Sequence, residues 1–169
     1  WWAKLRMPVY NELANIPLFI HHPDQGSQAR ARRKSLTQTI DLMPTMTAAG
    51  RAEPPRGVDI DGRDLLPLAT GEGADTWSRE TLFWQSGYYR AVRHGDWKLQ
   101  VSDNPHKAWL YDLAADPTEH NNLAGTRTDK LNELKALLDA HQASARKPLY
   151  PFVAEMPVAV DKNLAEYFE

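Results

Sequence analysis

Cysteine is absent from all 169 residues, which excludes disulfides, thiolate metal sites and a cysteine nucleophile within the chain. Long apolar runs are absent too. The longest, residues 16–20, is interrupted by Pro17 and falls far short of the roughly 20 residues a spanning helix needs. Neither sign of charge dominates: 20 basic side chains face 22 acidic ones, for a net charge of -2. That balance argues against a broad nucleic-acid footprint. No initiator methionine opens the chain and no leader pattern is visible. Trp1 and Trp2 stand at a terminus, where large aromatics would ordinarily fray. The chain therefore reads as cut from something longer. What remains is 42% hydrophobic and 25% charged, enough to bury a core in one domain or in a domain with a flanking piece.

Ile16-Pro17-Leu18-Phe19-Ile20 has the length and composition of a short buried strand. Pro17 is tolerable there only near the strand's start, since it cannot donate to a ladder. Residues 24–34, with Arg30, Arg32, Arg33 and Lys34, read as a solvated loop. A helix is predicted over 41–49, with Asp41 as N-cap, Pro44 in the first turn and Gly50 as terminator. Leu42, Met46 and Ala49 would share one side of it. Residues 51–80 are rich in Pro, Gly and Asp and read as an irregular connection, with one helical turn at 64–68. Four short strands are then predicted at 81–85, 88–93, 96–101 and 109–113. Ser86-Gly87, His94-Gly95 and Ser102-Asp103-Asn104-Pro105 mark the turns between them. Tight connections of this kind make an antiparallel meander. A helix capped by Thr128 or Asp129 follows, carrying Leu131, Leu134, Leu137, Leu138 and His141 on one stripe and ending before Pro148. Trp97 and Leu99 are expected as inward residues of a strand, with Trp109 and Tyr111 packing across the meander.

Three ordered stretches resemble the sulfatase family, a branch of the alkaline phosphatase superfamily. Ile40-Asp41-Leu42-Met43-Pro44-Thr45 with Ala48-Ala49-Gly50 is similar to the family's "IDL-x-PT … AG" helix. Asp61-Gly62-Arg63-Asp64-Leu65-Leu66-Pro67-Leu68 is similar to its "DG-R-SLLPLL" turn. The third stretch runs through 90–99 and 110–124 and resembles the signature "R-A-V-R-x-G-x-W-K-L … LYDL-x-x-DP-x-E-x-x-NLA". Pro8-Val9-Tyr10-Asn11-Glu12 and residues 16–20 also resemble the arylsulfatase and phosphonate monoester hydrolase subgroup. The implied fold is α/β overall and α+β within this stretch. Residues 1–75 would be the end of an alkaline phosphatase-like α/β domain. Residues 76–147 would form a subdomain of a four-stranded antiparallel sheet packed by one helix, and 148–169 an irregular tail.

The resemblance implies a sulfuric ester hydrolase, metal-dependent in its full-length form, with a phosphonate or phosphate ester hydrolase of the same superfamily as the alternative. It implies formylglycine, made from the Cys or Ser of a C/S-x-P-x-R motif, and a divalent cation such as Ca or Mn acting as a Lewis acid. Neither the nucleophile motif nor the family's metal carboxylates occur here, so this stretch alone is expected to bind no metal and to be inactive. One family residue maps onto it: Lys4, placed to contact a sulfate oxygen as a point charge. No substrate-binding residue is assigned. The implied partner is a small-molecule or glycan sulfate ester, without nucleic acid or a membrane span, and with a homo-oligomer left open. Two motifs are set aside as metal sites. Ser102-Asp103-Asn104-Pro105-His106 lies where a hairpin turn belongs, and His21-His22 would point to opposite faces of a strand. A reading of another class is a sugar-binding module that presents Trp84, Tyr88, Tyr89 and Trp97, most of which are expected to be buried instead.

Overall fold

A computed structural model describes residues 9–23, 31–72, 76–103 and 106–146. The chain divides into two compact units, one made of Trp1–Ile16 with Thr81–Glu169 and the other of Pro17–Glu80.

The first unit contains the predicted meander. Strands β1 (Thr81–Ser86), β2 (Tyr89–His94), β3 (Trp97–Asp103) and β4 (His106–Asp112) form one antiparallel sheet in the order β1-β2-β3-β4. Gly87 and Gly95 take positive φ at the first of two loop residues, a backbone conformation that favours glycine in tight hairpins. Strand β4 begins three residues earlier than the sequence suggests. Pairing extends to the ends of both strands, where Asp103 faces His106 across the ladder.

Strict alternation gives the sheet two different faces. On one, Phe83, Val92, Leu99 and Leu110 lie side by side under helix α4 (Thr128–Ser144), whose Leu134 and Leu138 are buried against them. Leu131 and Leu137 flank that contact, and His141 stacks on Phe83 with ring centroids 4.0 Å apart. The predicted stripe of α4 is thus the one that packs. Its cap differs: Thr128 is already helical, Arg127 occupies the cap position without a side-chain cap bond, and Asp129 supplies the negative charge that suits a first turn. Hydrogen bonding to Arg127 and to the Lys130 N–H holds Asp129 down at about 2.

Trp97 shares the helix-covered face but is only half-buried at its margin, with the Arg127 guanidinium 4.9 Å from its ring. It is not the core residue expected. Trp97→Ala should therefore lower stability by about 1–2 kcal/mol, well under the roughly 3–5 of a fully buried tryptophan. A urea titration that returns 3 kcal/mol or more, on the order of a core truncation, would place Trp97 back in the core.

The second unit holds a 3-10 turn (Thr39–Asp41), helix α2 (Leu42–Ala49) and helix α3 (Leu66–Thr70). Helix α1 (Asn11–Ala14) belongs to the first unit. Residues 16–20 form no strand, and Ile16, Leu18 and Phe19 are exposed at 67%, 45% and 89%. A strand needs a neighbour with which to exchange backbone hydrogen bonds, and among the described residues the only sheet is the meander, to which this segment does not pair.

Candidate functional site

Lys4, the catalytic candidate, and residues 148–169 lie outside the described residues. The chain from Val9 is held by the sheet face that α4 does not cover. There the Val9 N–H donates to Gln100 Oε1 at 2.7 Å, and the Asn11 N–H donates to Glu119 Oε2 at 2.5 Å. Tyr10 is buried among Tyr89, Trp109, Tyr111 and Leu113, its ring 6.3 Å from that of Tyr111.

Beneath this segment is a buried ion pair. Lys98 Nζ lies 2.9 Å from Glu119 Oε1, and both side chains are essentially inaccessible. Lys98 also donates to Asn11 Oδ1 at 3.4 Å, and Asn11 Nδ2 donates to the Pro117 carbonyl at 3.3 Å. Glu119 sits at φ 56, a left-handed conformation costly for a non-glycine residue unless its surroundings require it. Here a carboxylate is needed at that spot to meet Lys98 and the Asn11 amide together. Lys98 comes from the "WKL" half of the signature and Glu119 from the "DP-x-E" half, so the two halves are recognised by each other. Sequence reasoning missed this pair. Its only signal was that both residues fall inside the signature.

The rest of that signature is also structural. Asp112 Oδ1 accepts the Ala114 N–H at 3.0 Å, and Asp116 Oδ2 accepts that of Asn121 at 2.7 Å. Burial opposes ionisation of Asp116, yet the Asn121 and His120 amides and the Thr118 hydroxyl hold its carboxyl below the usual value. The Asn122 side chain accepts from the Leu110 N–H at 3.0 Å and donates to the Ala108 carbonyl at 3.1 Å, covering the outer edge of β4.

In the second unit, Asp41 occupies the predicted N-cap position of α2 without a side-chain cap bond, and its carboxylate serves as a clamp instead. Helical turns begin at Thr39, and the fully buried carboxylate takes both Arg79 nitrogens at 2.5 and 2.7 Å. It also accepts the N–H of Gln38 at 2.7 Å and of Arg63 at 2.8 Å. Burial opposes ionisation, but the Arg79 hydrogen bonds, the two amides and the Arg79 charge outweigh it and hold the carboxyl below 3.8. Thr45 completes the interlock, donating to the Asp41 carbonyl at 2.6 Å and accepting the Leu65 N–H at 2.9 Å. Gly62 is required because a Cβ there would overlap the Ile40 carbonyl. The "IDL-x-PT" and "DG-R" stretches are two sides of one joint. The basic cluster supplies a tie as well: Arg33 Nε donates to the Leu68 carbonyl at 3.3 Å, although Arg30 lies outside the described residues.

Among the described residues, no group of three or more His, Asp or Glu side chains could hold a metal ion. His21 is exposed and His22 half-buried on a segment that is not a strand. Trp84, Tyr88, Tyr89 and Trp97 form no exposed platform: Tyr89 is buried, the others are half-buried, and Trp97 and Trp84 lie on opposite sheet faces. No helix among the described residues is long and apolar enough to cross a membrane.

A family model for the C-terminal region of N-sulphoglucosamine sulphohydrolase matches residues 1–147. The chain belongs to that family. N-acetylglucosamine-6-O-sulfatase of Bacteroides thetaiotaomicron is 30% identical over 156 residues, covering 84% of this chain and 27% of that protein. The multifunctional alkaline phosphatase superfamily protein PehA of Trinickia caryophylli is 32% identical over 136 residues, covering 69% of this chain and 26% of that protein. A protein solved in complex with its substrate, D-glucosamine-2-N,6-O-disulfate, superposes with a TM-score of 0.51 at 30% identity, covering 61% of this chain and 23% of that one. The chain thus spans about a quarter of the length of the curated relatives it matches. In this sulfatase family region, the sheet with its one packed helix is the fold that the resemblance implied.

Proposed function

We propose that the chain is the C-terminal part of a metal-dependent sulfatase that hydrolyses sulfate monoesters of sugars. The observation that carries this reading is the family match over residues 1–147, joined to sulfatase relatives that align along most of the chain. Lys4 would contact a sulfate oxygen, where a fixed positive charge favours the charge that develops in the transition state. In support, the chain five residues after Lys4 is bonded to the sheet through Val9 and Asn11, and catalytic groups hold their geometry best near rigid elements. Formylglycine and the divalent cation would belong to the rest of the enzyme. The described residues offer the cation no ligand cluster.

An aryl sulfate and phenyl phosphonate, offered to the full-length protein, test the reading. Metal-dependent sulfate release should exceed phosphonate cleavage, and the 169-residue chain by itself should release none. Lys4→Ala should reduce kcat about 100-fold, the scale of losing one oxyanion contact, with the melting temperature nearly unchanged. Turnover by the isolated chain would overturn the assignment, and normal kinetics in the variant would remove Lys4 from the site. Preferred phosphonate cleavage would favour a second reading, a phosphate or phosphonate ester hydrolase, consistent with the similarity to a multifunctional superfamily member.

A further inference from the structure

The sheet face opposite α4 holds Val9, Tyr10 and Asn11 at a cost to its own stability. The Val9 N–H donates to Gln100 Oε1 at 2.7 Å. That contact fixes the amide so that Gln100 Nε2 is buried with no hydrogen-bond partner among the described residues, and an unpaired buried donor is destabilising. The Asn11 N–H donates to Glu119 Oε2 at 2.5 Å, and Glu119 meets it from φ 56, a strained backbone for a residue with a side chain. The Glu119 charge is matched by burying Lys98 beside it, an arrangement that well-packed apolar side chains often equal or exceed in stability. Three separate costs therefore fall at the contacts that hold the backbone of residues 9 and 11. The α4 face, by contrast, is held by the apolar packing of Leu99, Leu110, Leu134 and Leu138.

We infer that Gln100 and Glu119 are positioning residues for catalysis, fixing the backbone at Val9 and Asn11 and thereby the place of Lys4. The inference deepens the sulfatase reading and rests on Lys4 acting at the ester. Attachment alone does not call for these two contacts. Tyr10 is already buried among Tyr89, Trp109, Tyr111 and Leu113, and apolar burial of that kind is non-directional. Hydrogen bonds to two backbone amides add what burial lacks, a set register and orientation of the chain. Lys4 precedes Val9 by five residues, a reach of at most about 18 Å, so an anchor at Val9 limits where its ammonium can go. A shift of about 1 Å in a catalytic group can cost on the order of 100-fold in rate. Strain and unpaired polar groups are tolerated where geometry matters more than stability.

The full-length enzyme carries the test, with the aryl sulfate or the phenyl phosphonate, whichever it turns over. All kinetics are measured well below the lowest melting temperature of the set. Gln100→Met exchanges one unpaired buried donor for another, so its melting temperature should stay within about 4 °C of wild type. Its kcat should nevertheless fall about 10- to 100-fold, with KM within about threefold. In a Lys4→Ala background the same substitution should lower kcat by less than about twofold, because both changes act through one group. With Lys98→Met present, so that no charge is stranded, Glu119→Gln keeps an acceptor for the Asn11 N–H and Glu119→Leu does not. The first should turn over about tenfold faster than the second. Leu138→Ala loosens the opposite face and reads the effect of stability alone; its kcat should match wild type within about twofold. An unchanged kcat in Gln100→Met, equal rates for the two Glu119 variants, an equal loss in Leu138→Ala, or full multiplication of losses in Lys4→Ala/Gln100→Met overturns the inference and leaves the sulfatase reading standing. Normal kinetics in Lys4→Ala, or turnover of neither ester, rejects that reading and the inference with it.

Discussion

Lys98→Met is expected to destabilise the protein by about 3–5 kcal/mol, the range found when one member of a buried ion pair is removed. The pair is held without solvent: both side chains are inaccessible and 2.9 Å apart. Taking away the ammonium leaves the Glu119 carboxylate buried, with the Asn11 amide as its remaining donor among the described residues. For a chain of this length, that corresponds to a fall in melting temperature on the order of 10 °C. Lys98→Met/Glu119→Gln should recover more than half of the loss, because the amide oxygen still accepts from Asn11 while no charge is stranded. Urea titrations of the two single variants and the double variant close the cycle. A single-variant cost below about 1 kcal/mol, the level of an exposed pair, would show that water reaches the pair in solution.

Asp41→Asn should cost about 3–4 kcal/mol at neutral pH, since it strands the buried Arg79 charge and weakens two backbone bonds together. The effect is pH-dependent, and its sign follows from the lowered pKa. A carboxyl easier to ionise in the folded state contributes fully above its unfolded pKa, near 4. The contribution fades as pH falls through the lower folded value. The difference between wild type and variant should therefore be constant from about pH 5 to 8 and shrink below about pH 4. Chemical denaturation across that range measures it. A difference that stays the same from about pH 7 down to about pH 2.5 would mean that Asp41 is not the acid-sensitive group.

The meander and α4 were legible because local rules decide them. Period-two alternation, Gly-containing turns and a 3.6-residue leucine stripe each act over a few residues. The Lys98–Glu119 pair had no local signal. On a strand, Lys98 points away from Leu99 and so reads as solvated, and its burial depends on a segment that arrives from near Val9. Asp41 holds the cap position expected of an Asp ahead of a helix, but the partner of its carboxylate was not legible, because Arg79 lies 38 residues away. Residues 16–20 show the same limit, since an apolar run indicates burial without naming the partner.

Asn122 has a consequence for how the molecule behaves at high concentration. Its amide satisfies the Leu110 N–H and the Ala108 carbonyl, and the Leu123 N–H bonds to the Leu110 carbonyl at 2.7 Å. A strand from another molecule meets backbone that is already occupied on that side, so fibrous growth of the sheet past β4 is blocked. Any such growth would have to start from β1, the sheet's other margin.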